Sequence, residues 1–134
     1  MGIIDISALS NPPEKHELET AKFFANSGKD VYFIRPSNIK GTHTPDFWID
    51  GKMWETKSPK GKTVRCVSDN IRDAAKQSRY IILDFRRFNV STEKCLGTIN
   101  HALKVYRCRK IIVIPRGSST IKDVLTFGPD GYRM

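Results

Sequence analysis

The sequence predicts an α/β sandwich built on a mixed sheet. Three observations carry this. Two nearly continuous apolar runs, Tyr80 to Phe85 and Ile111 to Ile114, read as strands buried on both faces. Amphipathic helical patterns precede and separate them. An Asp50-Gly51 turn joins two short alternating segments, a strong hairpin signal. The expected order is αβββαβαβ.

The elements follow in chain order. Asn11-Pro12-Pro13 punctuates the start, and proline suits a first helical turn. A helix is expected from 13 to 26, with Gly28 beyond its end and Leu18, Ala21, Phe24 and Ala25 as its apolar stripe. Glu17 lies within about 50° of the centre of that stripe at helical spacing. A carboxylate facing the core side is costly unless it is paired. Glu14 points the same way but also suits the helix dipole. Residues 31 to 34 read as a short strand, and 35 to 44 as an irregular, turn-rich segment.

Residues 45 to 57 form the expected hairpin, with Ile49 opposite Lys52, Trp48 opposite Met53, Phe47 opposite Trp54 and Asp46 opposite Glu55. Alternation then puts Asp46, Trp48, Met53, Glu55 and Lys57 on one face. Phe47, Ile49, Trp54 and Thr56 take the other. Both tryptophans are expected in the core. Two carboxylates directly opposite one another repel in a bare sheet, and they make sense if a cation sits between them.

A second helix is expected from 68 to 79, capped by Ser68 or Asp69. Arg72, Lys76 and Arg79 take one flank and Asn70, Asp73 and Gln77 the other. A third helix spans 92 to 106. The tail from 120 to 127 is ambiguous between a short helix and an edge strand.

At 134 residues, with 39% hydrophobic and 28% charged residues, the chain reads as one globular domain over 1 to 134, with residues 1 to 12 as a linker or N-terminal extension. No apolar run reaches the roughly 18 to 20 residues of a membrane span, no signal peptide is visible, and no membrane partner is expected. Cys66, Cys95 and Cys108, like His16, His43 and His101, are scattered without metal-ligand or disulfide spacing. The net charge of +9 favours a polyanionic partner, nucleic acid first. Residues 57 to 65 carry Lys57, Lys60, Lys62 and Arg65 without an acid, and residues 94 to 122 carry seven cations without one.

Asp46 and Glu55 can hold a hard cation such as Mg²⁺ through oxygen, and such an ion polarises a phosphoryl oxygen and lowers the pKa of bound water. Lys57, two residues on, can stabilise charge developing on phosphorus. Glu17 can complete the acidic cluster, directly or through water.

These residues carry a resemblance. The αβββαβ order with Pro45-Asp46, Glu55-Thr56-Lys57 and a glutamate on the preceding helix resembles the PD-(D/E)XK nuclease superfamily. His16-Glu17 with Ala21, Thr44-Pro45-Asp46, Glu55-Thr56-Lys57-Ser58-Pro59-Lys60-Gly61, and Asn70-Ile71-Arg72 with Ala74 and Lys76-Gln77 resemble its polymorphic-toxin branch. That branch includes the C-terminal tRNase domains of contact-dependent growth inhibition proteins and related phage or mobile-element toxins. The similarity runs from about 14 to 116, with an α-β extension beyond the core. It implies metal-dependent cleavage of RNA, tRNA first, with Glu17, Asp46, Glu55 and Lys57 catalytic. The implied metal ligands are Asp46, Glu55 and Glu17, with Mg²⁺ expected and Mn²⁺ or Zn²⁺ as substitutes.

Expected substrate contacts are Lys60, Lys62, Arg65, Asn70, Arg72, Lys76 and Gln77. The resemblance also implies a monomeric toxin domain, neutralised by a cognate immunity protein expected to be acidic. It would be delivered within a larger secreted or surface effector and act in the cytoplasm of the target bacterium. Two alternatives stand beside this: a DNA nuclease or junction resolvase of the same fold, and a basic RNA-binding module without catalysis.

Overall fold

The computed structural model describes residues 1–37, 39, 44–129 and 131–133, the last three as backbone. His43 and part of the segment expected to be irregular fall outside these residues. The sheet has eight strands in sequential order: β1 (Ile4–Asp5), β2 (Val31–Phe33), β3 (Phe47–Ile49), β4 (Lys52–Lys57), β5 (Tyr80–Asp84), β6 (Lys110–Ile114), β7 (Leu125–Gly128) and β8 (Gly131–Arg133). Three helices accompany it: α1 (Lys15–Asn26), α2 (Arg65–Ala75) and α3 (Thr92–Val105). The β1–β2, β4–β5 and β5–β6 pairs are parallel and the others antiparallel, so the sheet is mixed.

The hairpin register is the expected one over its three paired positions, Phe47 with Trp54, Trp48 with Met53 and Ile49 with Lys52. Asp50 and Gly51 both adopt positive φ, 53° and 77°, the backbone a two-residue turn between twisted strands requires. The apolar runs become β5 and β6, whose alternate residues feed opposite faces. Ile81, Leu83, Ile111 and Val113 join the core under α2 and α3. Ile82 and Ile114 join the core under α1, with Val31, Phe33, Phe47 and Trp54. The sheet is therefore sandwiched, with α1 on one side and α2 and α3 on the other.

Four local readings change. The helix expected from 13 starts at Lys15, and the Glu14 backbone N–H donates to Glu17 Oε1 at 3.1 Å, an arrangement typical of a helix N-terminus. The helix expected from 68 to 79 runs instead from Arg65 to Ala75. Burial of Val67, Ile71 and Ala74 against the sheet sets its phase and outweighs the capping signal of Ser68 and Asp69. Lys76 and Gln77 thus lie in the turn that leaves it. Within the segment read as a linker or extension, Ile4–Asp5 pairs with Val31–Tyr32. The ambiguous tail takes both forms, a 3-10 turn at Ile121–Asp123 followed by β7, and β8 beyond it was not anticipated. Among the described residues no helix is long and apolar enough to cross a membrane.

Candidate functional site

The hairpin is what builds the site. Asp46 stands at the entrance to β3, where its backbone N–H donates to Trp54 O at 2.9 Å. Its Oδ2 accepts from the Thr56 N–H at 2.9 Å, which fixes the carboxylate beside β4. Glu55 follows Trp54 and therefore turns to the opposite face from that core residue. It is only 3% exposed. Its Oε2 lies 3.6 Å from Lys57 Nζ, while Oε1 is buried with no hydrogen-bond partner. Glu55 and Lys57 sit across from Ile81 and Leu83, on the α2 and α3 side of the sheet.

Electrostatics mark this pair as unusual. Burial, and then the neighbouring Glu55 and Glu17 carboxylates, push Asp46 up to about 9. Burial also pushes Glu55 above its ordinary range, although Asp46 and Lys57 beside it pull the other way. Two desolvated carboxylates, an unpartnered oxygen and a single ammonium leave the site short of positive charge. Oxygen-only donors of this kind suit a hard divalent cation. The residues able to hold one are Asp46 and Glu55.

Glu17 reaches the same region from the other side of the sheet. It lines, with Asp46, Phe33 and Pro45, a cavity of about 190 Å³. Its Oε1 already accepts the Glu14 N–H. The Glu17 and Asp46 carboxyl groups lie within hydrogen-bond reach of one another, and the Glu17 charge also acts on Glu55. The three carboxylates are thus neighbours, although among the described residues no three His, Cys, Asp or Glu side chains are arranged as a metal-binding group. α1 packs on the opposite face from Glu55, and Glu17 arrives at the edge of the site.

The expected substrate contacts divide. Lys60, Lys62 and Arg65 are exposed and take part in no ion pair among the described residues. Arg72 is also exposed but engaged, with Asp69 at 3.5 Å and Asp73 at 3.2 Å. Lys76 lies 3.7 Å from the same Asp73. Asn70 turns back into its own helix, with Nδ2 donating to Cys66 O at 2.7 Å. Gln77 is half-buried in the turn after α2. The two flanks expected to be separate are thus stitched together by Asp73.

Two features were not anticipated. Trp48, expected in the core, is 40% exposed, because only the Phe47 and Ile49 side of β3 faces α1. A buried polar network also ties α1 to β5. Asp84, 5% exposed, accepts from Thr20 Oγ1 at 2.9 Å and from Arg86 Nη2 at 2.7 Å. Arg86 Nη2 also donates to Glu19 O at 3.1 Å, and the guanidinium covers the Phe23 ring. Burial alone would raise Asp84, but the hydrogen bonds and charge of Arg86 hold it below its ordinary range. The only signal in the sequence was an aspartate inside an apolar run with an arginine two residues on.

The chain matches no curated protein. A solved structure, the CdiA-CT/CdiI toxin and immunity complex from Burkholderia pseudomallei, matches 96% of this chain and 100% of its own, with a TM-score of 0.63 and 20% identity. At that identity the likeness shows a shared fold. The family model for the contact-dependent growth inhibition CdiA C-terminal domain matches residues 42–119, more than half the chain and the whole stretch from the hairpin through β6. The chain belongs to the family of CdiA C-terminal domains.

Proposed function

We propose that this domain is the toxin module of a contact-dependent growth inhibition effector, a metal-dependent endonuclease of the PD-(D/E)XK type that cleaves RNA, tRNA first. The observation that carries this is the Asp46 and Glu55 pair, buried, short of counter-charge and with Glu55 Oε1 unpartnered, beside Lys57 on the same strand. Asp46 and Glu55 would hold the cation. When bound, it supplies charge neutralisation at the phosphate and a more acidic water. Asp46 is kept in place by the Thr56 N–H. Lys57 sits at the partly exposed rim, where its ammonium can meet charge developing on the scissile phosphate. Glu17 orients water or the outer shell of the cation from the edge of the site.

Lys60, Lys62 and Arg65, free of ion pairs among the described residues and directly after the catalytic strand, supply phosphate contacts. Such contacts give salt-dependent affinity without reading sequence. The solved relative is complexed with its immunity protein. The +9 charge of this chain favours an acidic partner that associates by electrostatic steering. Family membership supports delivery within a larger effector and action in the target cell's cytoplasm.

Intact tRNA, isolated stem-loops and duplex DNA, each incubated with the protein with and without Mg²⁺ or Mn²⁺ and mapped for cut ends, test this reading. Divalent-dependent cleavage of tRNA above the others is expected. Equal cleavage of all three would leave a general nuclease, and salt-sensitive binding without product would leave an RNA-binding module.

A further inference from the structure

Three large side chains stand out of the sheet in one row. Tyr32, Trp48 and Met53 are register neighbours across β2, β3 and β4, and their exposures are 41%, 40% and 41%. Their strand neighbours Val31, Phe33, Phe47, Ile49 and Trp54 all enter the core under α1, so the row occupies the opposite face. On that face α2 and α3 cover Ile81, Leu83 and their neighbours but leave the row open. Among the described residues, neither the Tyr32 nor the Trp48 ring is stacked on another ring or under a cation.

The row leads into the candidate site. Side chains two residues apart on a strand share a face and lie about 7 Å apart. Met53 therefore precedes Glu55 at the next same-face position of β4, while Asp46 stands two residues before Trp48 at the entrance to β3. At the other end Ser78 Oγ donates to Met53 O at 2.7 Å, which brings the turn carrying exposed Lys76 and Arg79 alongside. A flat aromatic and thioether strip thus runs from the carboxylates toward cations.

We infer that Tyr32, Trp48 and Met53 form a stacking platform for an unpaired base of the RNA strand whose phosphate lies at Asp46 and Glu55. This rests on the nuclease reading above and adds that the substrate must present an unstacked nucleotide, as in a loop. Three side chains at these exposures offer on the order of 250 Å². A stable protein interface needs roughly 800 Å² per partner, whereas one or two base rings need far less. The charge of +9 repels a second copy of this chain and attracts a polyanion. Rings fixed on strands stack any base without reading its identity.

The test is an equilibrium titration of the metal-free protein in EDTA with a short unstructured RNA. Parallel arms use the same strand in deoxy form and an abasic strand of equal length. Trp48 emission should be quenched by the base-bearing strands, and Trp48→Phe should remove that component while keeping most of the affinity. Trp48→Ala should bind the base-bearing RNA about ten-fold more weakly. The abasic strand should bind wild type and Trp48→Ala equally. Equal affinity of wild type for abasic and base-bearing RNA would overturn the platform. So would an effect of Trp48→Ala confined to immunity-protein affinity or to self-association. Failure of the nuclease reading shows separately, as absence of divalent-dependent cleavage by the wild type. If the wild type cleaves and Trp48→Ala cleaves equally well, only the platform falls.

Discussion

Replacing Asp46 by Asn should stabilise the metal-free fold at neutral pH while removing catalysis. In the unfolded chain this carboxyl ionises near 3.8, whereas in the fold burial and the Glu55 charge push it up to about 9. A carboxyl raised in the fold binds its proton more tightly there. The folded state is therefore unpenalised below pH 4 and loses stability progressively as pH rises from about 4 toward 9. At pH 7 roughly three pH units of that window have been crossed, at about 1.4 kcal/mol each, which sets a ceiling near 4 kcal/mol. Because Glu55 shares the proton balance, about 2 kcal/mol is expected, or roughly 7 °C in Tm for a domain of this size.

Asn keeps an oxygen acceptor for the Thr56 N–H, so the geometry survives. The assay is denaturant unfolding of wild type and Asp46→Asn in EDTA from pH 4.5 to 9. The stability difference between them cancels other titrating groups. It should be small at pH 4.5 and grow with pH in favour of the variant. Saturating Mg²⁺ should stabilise the wild type, since a ligand that binds only the folded state adds stability by mass action, and should leave the variant almost unmoved. A pH-independent difference, or a wild type more stable than the variant at pH 8 in EDTA, would refute the reasoning.

Other expectations concern single residues. Lys57→Ala should lower cleavage by at least a hundred-fold while calorimetry finds divalent affinity nearly unchanged; Lys57→Arg should rescue poorly, because a guanidinium is not a compact point charge. Lys60→Glu with Lys62→Glu should weaken tRNA binding and flatten its salt dependence, read from affinity against salt concentration, without altering metal binding. Arg86→Ala should cost about 3 kcal/mol in denaturant unfolding at pH 7, since it leaves Asp84 buried without its cation. Asp84 is held below its ordinary range, so the stability it contributes is present above pH 4 and lost as pH falls through its folded value. In Arg86→Ala that acid-side loss should disappear from the unfolding profile.

The hairpin could be read from the chain because everything that specifies it is local. Asp50-Gly51 dictates the turn, the two-residue loop dictates the register from Phe47 to Trp54, and strict alternation then places Glu55 and Lys57 on one face without reference to any other element. Asp46, whose N–H reaches Trp54 O, lies beyond the paired positions. The same holds for β5 and β6, whose unbroken apolar runs can be satisfied only between two layers. Family likeness was legible partly for the same reason, since Pro45-Asp46 and Glu55 to Gly61 lie in or beside this short stretch, while His16-Glu17 and Asn70 to Gln77 lie outside it.

What could not be read depends on partners distant in the chain. Trp48 has the size and apolarity of a core residue, and only the position of α1 decides that its side of β3 is left open. α2 takes its boundaries from burying Val67, Ile71 and Ala74, a contact with strands that no capping residue announces. Glu17 points toward the sheet as its helical phase requires, and only the layer into which α1 packs decides that it meets Asp46 there. Thr20, Asp84 and Arg86 meet across more than sixty positions. Periodicity fixes which side of an element a residue occupies, while the identity of the layer that covers that side is settled only when the whole sandwich closes.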